Sequence, residues 1–319
     1  MNMASLTISP ENQKKVKALG FLANKGTDNF SGRIITVNGK ITAAQNKCIS
    51  EAAELFGNGT VTFTSRLTVE CPGIPYDKIE DFRAYLAKEG LQTGGTGSKV
   101  RPVVSCKGTT CQYGLIDTFD LSEKIHEKFF NGYSNVKLPH KFKIGVGGCP
   151  NNCMKPSLND LGIVGQKIPN YDSELCNGCR VCGVENICAV HAAKVTDGIL
   201  TIDEEICNNC GRCVGACHFD AIPDGQVGYK VYIGGRWGKL VNHGIPLNKI
   251  FTSEEEVMDI IEKTILFFRE QGETGERLSQ TIERIGFENV ESQLLSKDLL
   301  ERKEEIINAD LHLVGGATC

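Results

Sequence analysis

Two periods of apolar spacing alternate along this chain, and the switches between them outline its elements. "RIITV" (33–37) and "TVTFT" (60–64) are rich in β-branched residues and predict strands. Between them Ala44, Cys48, Ile49, Ala52, Ala53 and Phe56 recur at helical spacing, and Gly57 and Gly59 end the run. Ile79, Phe82 and Leu86 mark a second helix, closed by Gly90. This is a small α+β unit, and "LQTGGTGSK" (91–99) reads as the hinge after it. "PVVS" then leads into Cys106 and "KFKIGV" towards Cys149, both strand-like, and "YKVYIGGRWGK" (229–239) returns to strand pattern. Ser253 with Glu256 predicts a capping box. Val257, Ile260, Ile261, Thr264, Ile265 and Phe268 share one face of a helix over 254–270. Helical pattern continues to about residue 308, and the closing "GGATC" reads as a loose tail.

Composition narrows the class. The 319 residues are 40% hydrophobic, enough for a sizeable core and two or so domains. A net charge of −4 argues against general nucleic-acid binding, which needs a basic face. No segment approaches the roughly 18 uninterrupted apolar residues of a membrane span. The stretch "MNMASLTISPENQKKVK" lacks an apolar signal core, so a cytoplasmic protein is expected. In a reducing compartment its fifteen cysteines read as metal ligands more readily than as disulfides.

Eight of them crowd into residues 176–217. Cys176, Cys179 and Cys182 follow C-x2-C-x2-C, and so do Cys207, Cys210 and Cys213. Each triplet can wrap three corners of a 4Fe–4S cube, with the fourth ligand taken from the other run: Cys217 for the first, Cys188 for the second. Zinc in four-cysteine sites is the competing reading, although such sites seldom use a third cysteine at this spacing. The duplication resembles bacterial two-cluster ferredoxins. It departs from them in having five residues between Cys182 and Cys188, and in Ala189 and His218 where proline is usual.

Outside this insert, Cys48 lies on an apolar helix face and reads as core, and Cys71 and Cys319 stand alone. Cys106 with Cys111, and Cys149 with Cys153, instead end two strands in glycine-rich loops and can converge on a third cube. A structural zinc or simple buried thiols compete on spacing alone.

The flanking residues, "LPHKFKIGVGGCPNNCMKPSLNDLGIVG", resemble the core of siroheme-dependent sulfite and nitrite reductases. That resemblance implies that Cys106, Cys111, Cys149 and Cys153 bind a 4Fe–4S cluster whose Cys153 sulfur bridges to siroheme iron. The first pair here is C-x4-C, one residue shorter than in most members. The family grips its anion with two arginines and two lysines. "TSRL" supplies Arg66, "KVRPVVSC" supplies Arg101, and "LPHKFK" supplies Lys141 and Lys143. In an extended chain the two lysines share a face while Phe142 and Ile144 point to the core, a fair anion clamp or else an ordinary solvated face. Arg236 and Lys239 of "GGRWGK" match a segment closing the siroheme pocket, where they would meet carboxylates, with a plain glycine-rich hairpin as the alternative. His140 replaces an arginine of the motif and is either a proton donor, a carboxylate contact or a surface residue.

The implied fold class is α+β, in four segments. These are a ferredoxin-like reductase subdomain over 1–92, the first part of a siroheme and 4Fe–4S domain over 93–168, an inserted two-cluster ferredoxin domain over 169–224, and the completion with C-terminal helices over 225–319. The layout resembles the catalytic subunit of anaerobic sulfite reductases. It implies siroheme, three 4Fe–4S clusters, six-electron reduction of sulfite to sulfide, a low-potential donor protein or reductase subunit, and self-association or a sister subunit. Nitrite reduction to ammonia on the same scaffold is the nearest rival, although nitrite reductases of the family commonly carry asparagine where Lys143 stands. A multi-cluster electron carrier is the other.

Overall fold

The computed structural model describes residues 8–314. Cys319 and the "GGATC" stretch lie outside them, as does the start of the N-terminal stretch. In chain order the elements begin with α1 (Pro10–Ala18), β1 (Phe21–Ala23), β2 (Phe30–Ile34), α2 (Ala43–Phe56), β3 (Thr62–Phe63), β4 (Val69–Ile74) and α3 (Ile79–Ala87). Then come β5 (Val104–Ser105), α4 (Thr118–Ile125), β6 (Ile144–Gly147), β7 (Leu161–Pro169), α5 (Gly183–Ile187), β8 (Ala193–Thr196) and β9 (Ile199–Ile202). The chain closes with β10 (Gly225–Ile233), β11 (Ile245–Phe251), α6 (Glu254–Gln271), α7 (Leu278–Ile285), α8 (Phe287–Leu295), α9 (Asp298–Glu301) and α10 (Lys303–Asn308). Among the described residues no helix is long and apolar enough to cross a membrane.

Two compact units divide the chain. The first holds the residues up to Val104, Ser122–Ile144 and those from Lys263 onward. Its sheet runs β1-β2-β4-β3, all antiparallel. The helices α2 and α3 pack together and bury Ile49, Ala52, Phe82 and Leu86 with Phe21 and Phe30 of the strands. Phe21 meets Phe82 edge to face, with centroids 5.9 Å apart. Cys48 is buried in this core, as expected, and so is Cys71.

Three sequence expectations shift here. The strand expected over 33–37 lies earlier, at Phe30–Ile34, because Asn38 and Gly39 both adopt left-handed backbone and turn the chain out of the sheet. The strand expected over 60–64 shrinks to Thr62–Phe63. The stretch 91–99 is no free hinge: Gln92 accepts from the Ile35 amide at 2.8 Å, and the Gly94 amide donates to Arg33 O at 3.1 Å. The pairing needs two glycines face to face, since a side-chain carbon at Gly20 would lie 2.4 Å from the Gly94 nitrogen.

The six residues assigned to one face of α6 are all buried. Its capping box is shared. Ser253 accepts from the Glu256 amide at 3.2 Å, but the Glu256 carboxylate accepts from the Thr252 amide at 2.9 Å instead of from Ser253. Farther along, Arg269 is buried and donates to four carbonyls, those of Lys137, Ile306, Ile307 and Ala309.

The second unit comprises Ser105–Leu121 and Gly145–Glu262. Its five-stranded sheet has the order β11-β10-β7-β6-β5. The pair β7 and β10 is antiparallel over nine residues, from Leu161↔Ile233 to Pro169↔Gly225. Beyond β7 the cysteine-rich insert builds a hairpin of its own, β8 and β9, turned by Asp197 and Gly198 in left-handed conformation.

Candidate metal centres and anion-binding residues

The loops after β5 and β6 bring the two outer cysteine pairs together. The Cys106 amide donates to Val146 O at 3.0 Å, and the Gly148 amide donates to Cys106 Sγ at 3.1 Å. Thr118 fixes the first loop by donating its hydroxyl to Cys106 O at 2.8 Å. In the second loop Asn152 and Lys155 are left-handed, which folds the chain back around Cys153. Cys153 is exposed, and Cys106, Cys111 and Cys149 are half-buried. Burial pushes the Cys149 thiol up, the Asn151 amide pulls it down, and charge on Cys106, Cys153 and Cys111 pushes it up again. The other three sulfurs therefore stand within electrostatic reach of Cys149.

Seven of the insert's eight cysteines fall into two groups by the thiols and hydroxyl they act on. Burial drives Cys213 up to about 11, and its thiol also feels Cys207, Cys210 and Cys188. Cys207 is raised by burial, lowered by the Asn209 amide, and raised by Cys210, Cys188 and Glu204. The other set faces Tyr171, whose hydroxyl is pushed up to about 12, first by burial and then by its bond to Cys176 and the charges of Cys176, Cys182 and Cys217. Cys179 lies on the loop between them. Cys176 is itself lowered by the Leu200 and Gly178 amides, the former 3.3 Å from its sulfur. Cys188 thus acts on a thiol of the second triplet, and Cys217 faces Tyr171 together with Cys176 and Cys182.

The repeat is visible in the backbone as well. Gly178 in "CNGC" and Asn209 in "CNNC" occupy the same place and are both left-handed. Val184, Ala193, Leu200 and Ile222 form the insert's small core, against which Tyr171, Cys176, Cys182, Cys188, Cys213 and Cys217 pack. Among the described residues no three or more His, Cys, Asp or Glu side chains stand close enough to grip a single ion. Ligands to the four corners of a cube stand farther apart than ligands to one ion.

The basic residues belong to the first unit. Arg66 Nη2 donates to Pro102 O at 3.0 Å, and the Arg101 guanidinium donates to Gly95 O. Arg33, absent from the sequence-based set, also reaches Gly95 O at 3.5 Å while its Nε bonds Glu70 at 2.8 Å. Strand alternation points it away from the core, the one signal that could have found it. Lys141 and Lys143 are half-buried and alternate with Phe142 and Ile144, both fully buried. His140 Nδ1 accepts from the Lys141 amide at 2.8 Å, so a neutral His140 carries its proton on Nε2.

Arg236 sits at a tight hairpin, exchanging two 2.8 Å backbone bonds with Asn242. The hairpin base packs on the segment after Cys153: Gly244 donates to Ser157 O at 2.7 Å, and a side-chain carbon at Gly235 would lie 2.2 Å from that same oxygen. Lys239 and Trp237 are exposed at its tip.

Cysteine-bearing strand-end loops on an α+β frame, joined to a cysteine-rich insert, are the marks of an iron–sulfur oxidoreductase. The chain belongs to the nitrite and sulphite reductase 4Fe–4S domain family, whose profile matches residues 96–303, and the nitrite/sulfite reductase ferredoxin-like half domain matches residues 23–89. It is 32% identical over 244 residues to the coenzyme F420-dependent sulfite reductase of Methanocaldococcus jannaschii, covering 76% of this chain but only 38% of that protein. An uncharacterized protein of the same organism is 30% identical over 274 residues, covering 86% of this chain and 93% of the relative. The crystal structure of dissimilatory sulfite reductase I superposes with a TM-score of 0.67 at 22% identity, over 83% of this chain and 69% of that one, a likeness of fold.

Proposed function

We propose that this chain is a siroheme-dependent sulfite reductase that takes sulfite to sulfide with six electrons. The observation that carries this reading is the gathering of Cys106, Cys111, Cys149 and Cys153 through the Gly148 amide on Cys106 sulfur. The donor set fits the group: bound iron would offset the repulsion that a Cys149 thiolate meets from the other three sulfurs, and the Gly148 amide would stabilise charge on Cys106. When bound, siroheme and three 4Fe–4S clusters would supply single electrons and an open iron position for the anion.

The protein's own contribution follows from its side chains. Cys153, the exposed member of its set, would be the residue that holds siroheme beside the cluster. Cys176, Cys179, Cys182 and Cys217 would hold one insert cluster, and Cys207, Cys210, Cys213 and Cys188 the other. Arg66, Arg101, Lys141 and Lys143 would neutralise the oxygens of the bound anion, with the lysine ammonium groups holding protons for their loss as water. Arg236 and Lys239 would meet siroheme carboxylates. Electrons would come from a low-potential donor protein or reductase subunit, and the working form would include a second copy or a sister subunit.

Lys143 favours sulfite over nitrite, because sulfite brings more negative charge and more oxygen to shed. Anaerobically purified protein, assayed with a low-potential dye against sulfite and nitrite beside its visible spectrum, tests the proposal. Siroheme bands with sulfite turnover are expected. Cluster absorption alone would leave an electron carrier, and faster nitrite turnover would reverse the substrate.

A further inference from the structure

The two cluster sites of the insert have different surroundings, and β7 sets the difference. At Gly165 a side-chain carbon would lie 2.6 Å from the Gly148 carbonyl oxygen, so β7 passes directly against the residue before Cys149. Two residues on, Lys167 donates its amide to Asn209 O at 2.7 Å and bridges to Cys210. Two strand residues span roughly 7 Å. One strand therefore holds the Cys207–Cys210–Cys213 loop beside the Cys149 loop, and makes that set the inner one.

The other set opens outward. Leu175, Val181 and Phe219 lie next to or two residues from Cys176, Cys182 and Cys217, the three sulfurs gathered on Tyr171. They are 46%, 73% and 44% exposed, three apolar side chains beside the cysteines of this set, against Ile206 alone, 49% exposed, beside those of the other. The surface around them is acidic. Residues 170–224 carry nine aspartates and glutamates, every one exposed, against Arg180, Lys194 and Arg212. The segment is thus more negative than the whole chain, whose net charge is −4.

We propose that the Leu175, Val181 and Phe219 rim is the docking surface for the electron donor, a redox protein whose exposed cofactor edge is ringed by lysine and arginine. This rests on the cluster assignment proposed above. The acidic surround steers a basic partner, and the apolar centre closes the contact against water. Each encounter moves one electron from the donor to the site of Cys176, Cys179, Cys182 and Cys217, with no bond or proton change. The site at β7 lies next on the way to Cys149.

A basic c-type cytochrome in its ferric form serves as the probe, titrated calorimetrically into the holoprotein at low salt. Binding should weaken as salt rises. Val181→Lys and Phe219→Lys should each weaken it about tenfold, as expected for anchors at an interface centre. Leu55→Lys, 63% exposed on α2 and identical in charge change, should leave it within about twofold. Equal weakening by Val181→Lys and Leu55→Lys would mean that overall charge alone attracts the probe, and would overturn the proposal. So would a Val181→Lys variant that splits an oligomer on gel filtration yet binds the cytochrome normally, because a second copy would then own the rim. Iron analysis and electron paramagnetic resonance separate the levels. Wild type without insert clusters overturns the cluster assignment and this surface with it, whereas intact clusters with unchanged binding overturn the docking surface alone.

Discussion

The backbone amide of Gly148 points at the sulfur of Cys106, 3.1 Å away, and so ties the loop of one cysteine pair to the loop of the other. The approach depends on glycine. A side-chain carbon at Gly148 would lie 2.9 Å from Gly108 Cα, closer than such carbons come, and 3.2 Å from the Thr118 methyl. Gly148→Ala should therefore force the loops apart and empty the site. Iron and acid-labile sulfide should fall by about four per chain, with the insert clusters retained. A full complement of iron in this variant would mean that the loops relax, and that the amide–sulfur bond does not govern assembly.

Cys188 and Cys217 should fail in different ways. Cys188 shares its surroundings with Cys207, Cys210 and Cys213, whereas Cys217 shares Tyr171 with Cys176 and Cys182. Cys188→Ser should remove the cluster held by the second triplet, and Cys217→Ser the cluster held by the first. Electron paramagnetic resonance of the reduced variants tells the two losses apart. Both should slow turnover with a protein donor while leaving the siroheme spectrum largely intact. Loss of the same signal in both would show that each triplet draws its fourth ligand from its own run.

Local patterns were legible in the sequence where one element decides them. The buried face of α6, the limits of α2 and the two cysteine triplets all follow from spacing within a single segment. What escaped depends on partners far along the chain. Stretch 91–99 looks loose by composition, yet its glycines let it lie against β2 and Gly20. Arg33 joins Arg101 only because both reach the Gly95 carbonyl. Tyr171 carries no motif, and its place opposite three sulfurs comes from the fold of the insert. The β2 boundary moved because the left-handed Asn38–Gly39 turn outweighs the β propensity of Ile35 and Val37.

A buried imidazole gives the first unit an acid limit. His126 lies on the π-helical turn His126–Asn131, with its ring 4.5 Å from that of Phe130. Burial pushes it down to about 4, against a smaller upward pull from Glu127. The unfolded chain takes up this proton near pH 6.5, whereas the folded chain resists until about pH 4. Stability from this group is therefore intact above pH 6.5 and falls as pH drops towards 4, by at most about 3 kcal/mol. Thermal unfolding at pH 7 and pH 5 should show that fall in wild type and much less of it in His126→Gln. Equal pH dependence in the two proteins would place the acid sensitivity elsewhere.

Lys143 should decide much of the substrate preference. Its backbone is held by the burial of Phe142 and Ile144 on either side, and Phe142 packs on Phe268 with ring centroids 6.1 Å apart. The extended chain thus presents Lys141 and Lys143 on a common face. Sulfite carries more negative charge than nitrite and has three oxygens to shed, so a further cation stabilises it and its transition state more. A charge-assisted hydrogen bond contributes about 1.5–3 kcal/mol, and its loss should cost roughly ten- to a hundredfold in rate. Lys143→Asn should accordingly depress sulfite turnover steeply while sparing or raising nitrite turnover. Both substrates need measuring on one anaerobic preparation, with siroheme content checked in each variant. An equal fall in both activities at full siroheme content would remove Lys143 from substrate selection and, with it, the strongest reason to prefer sulfite.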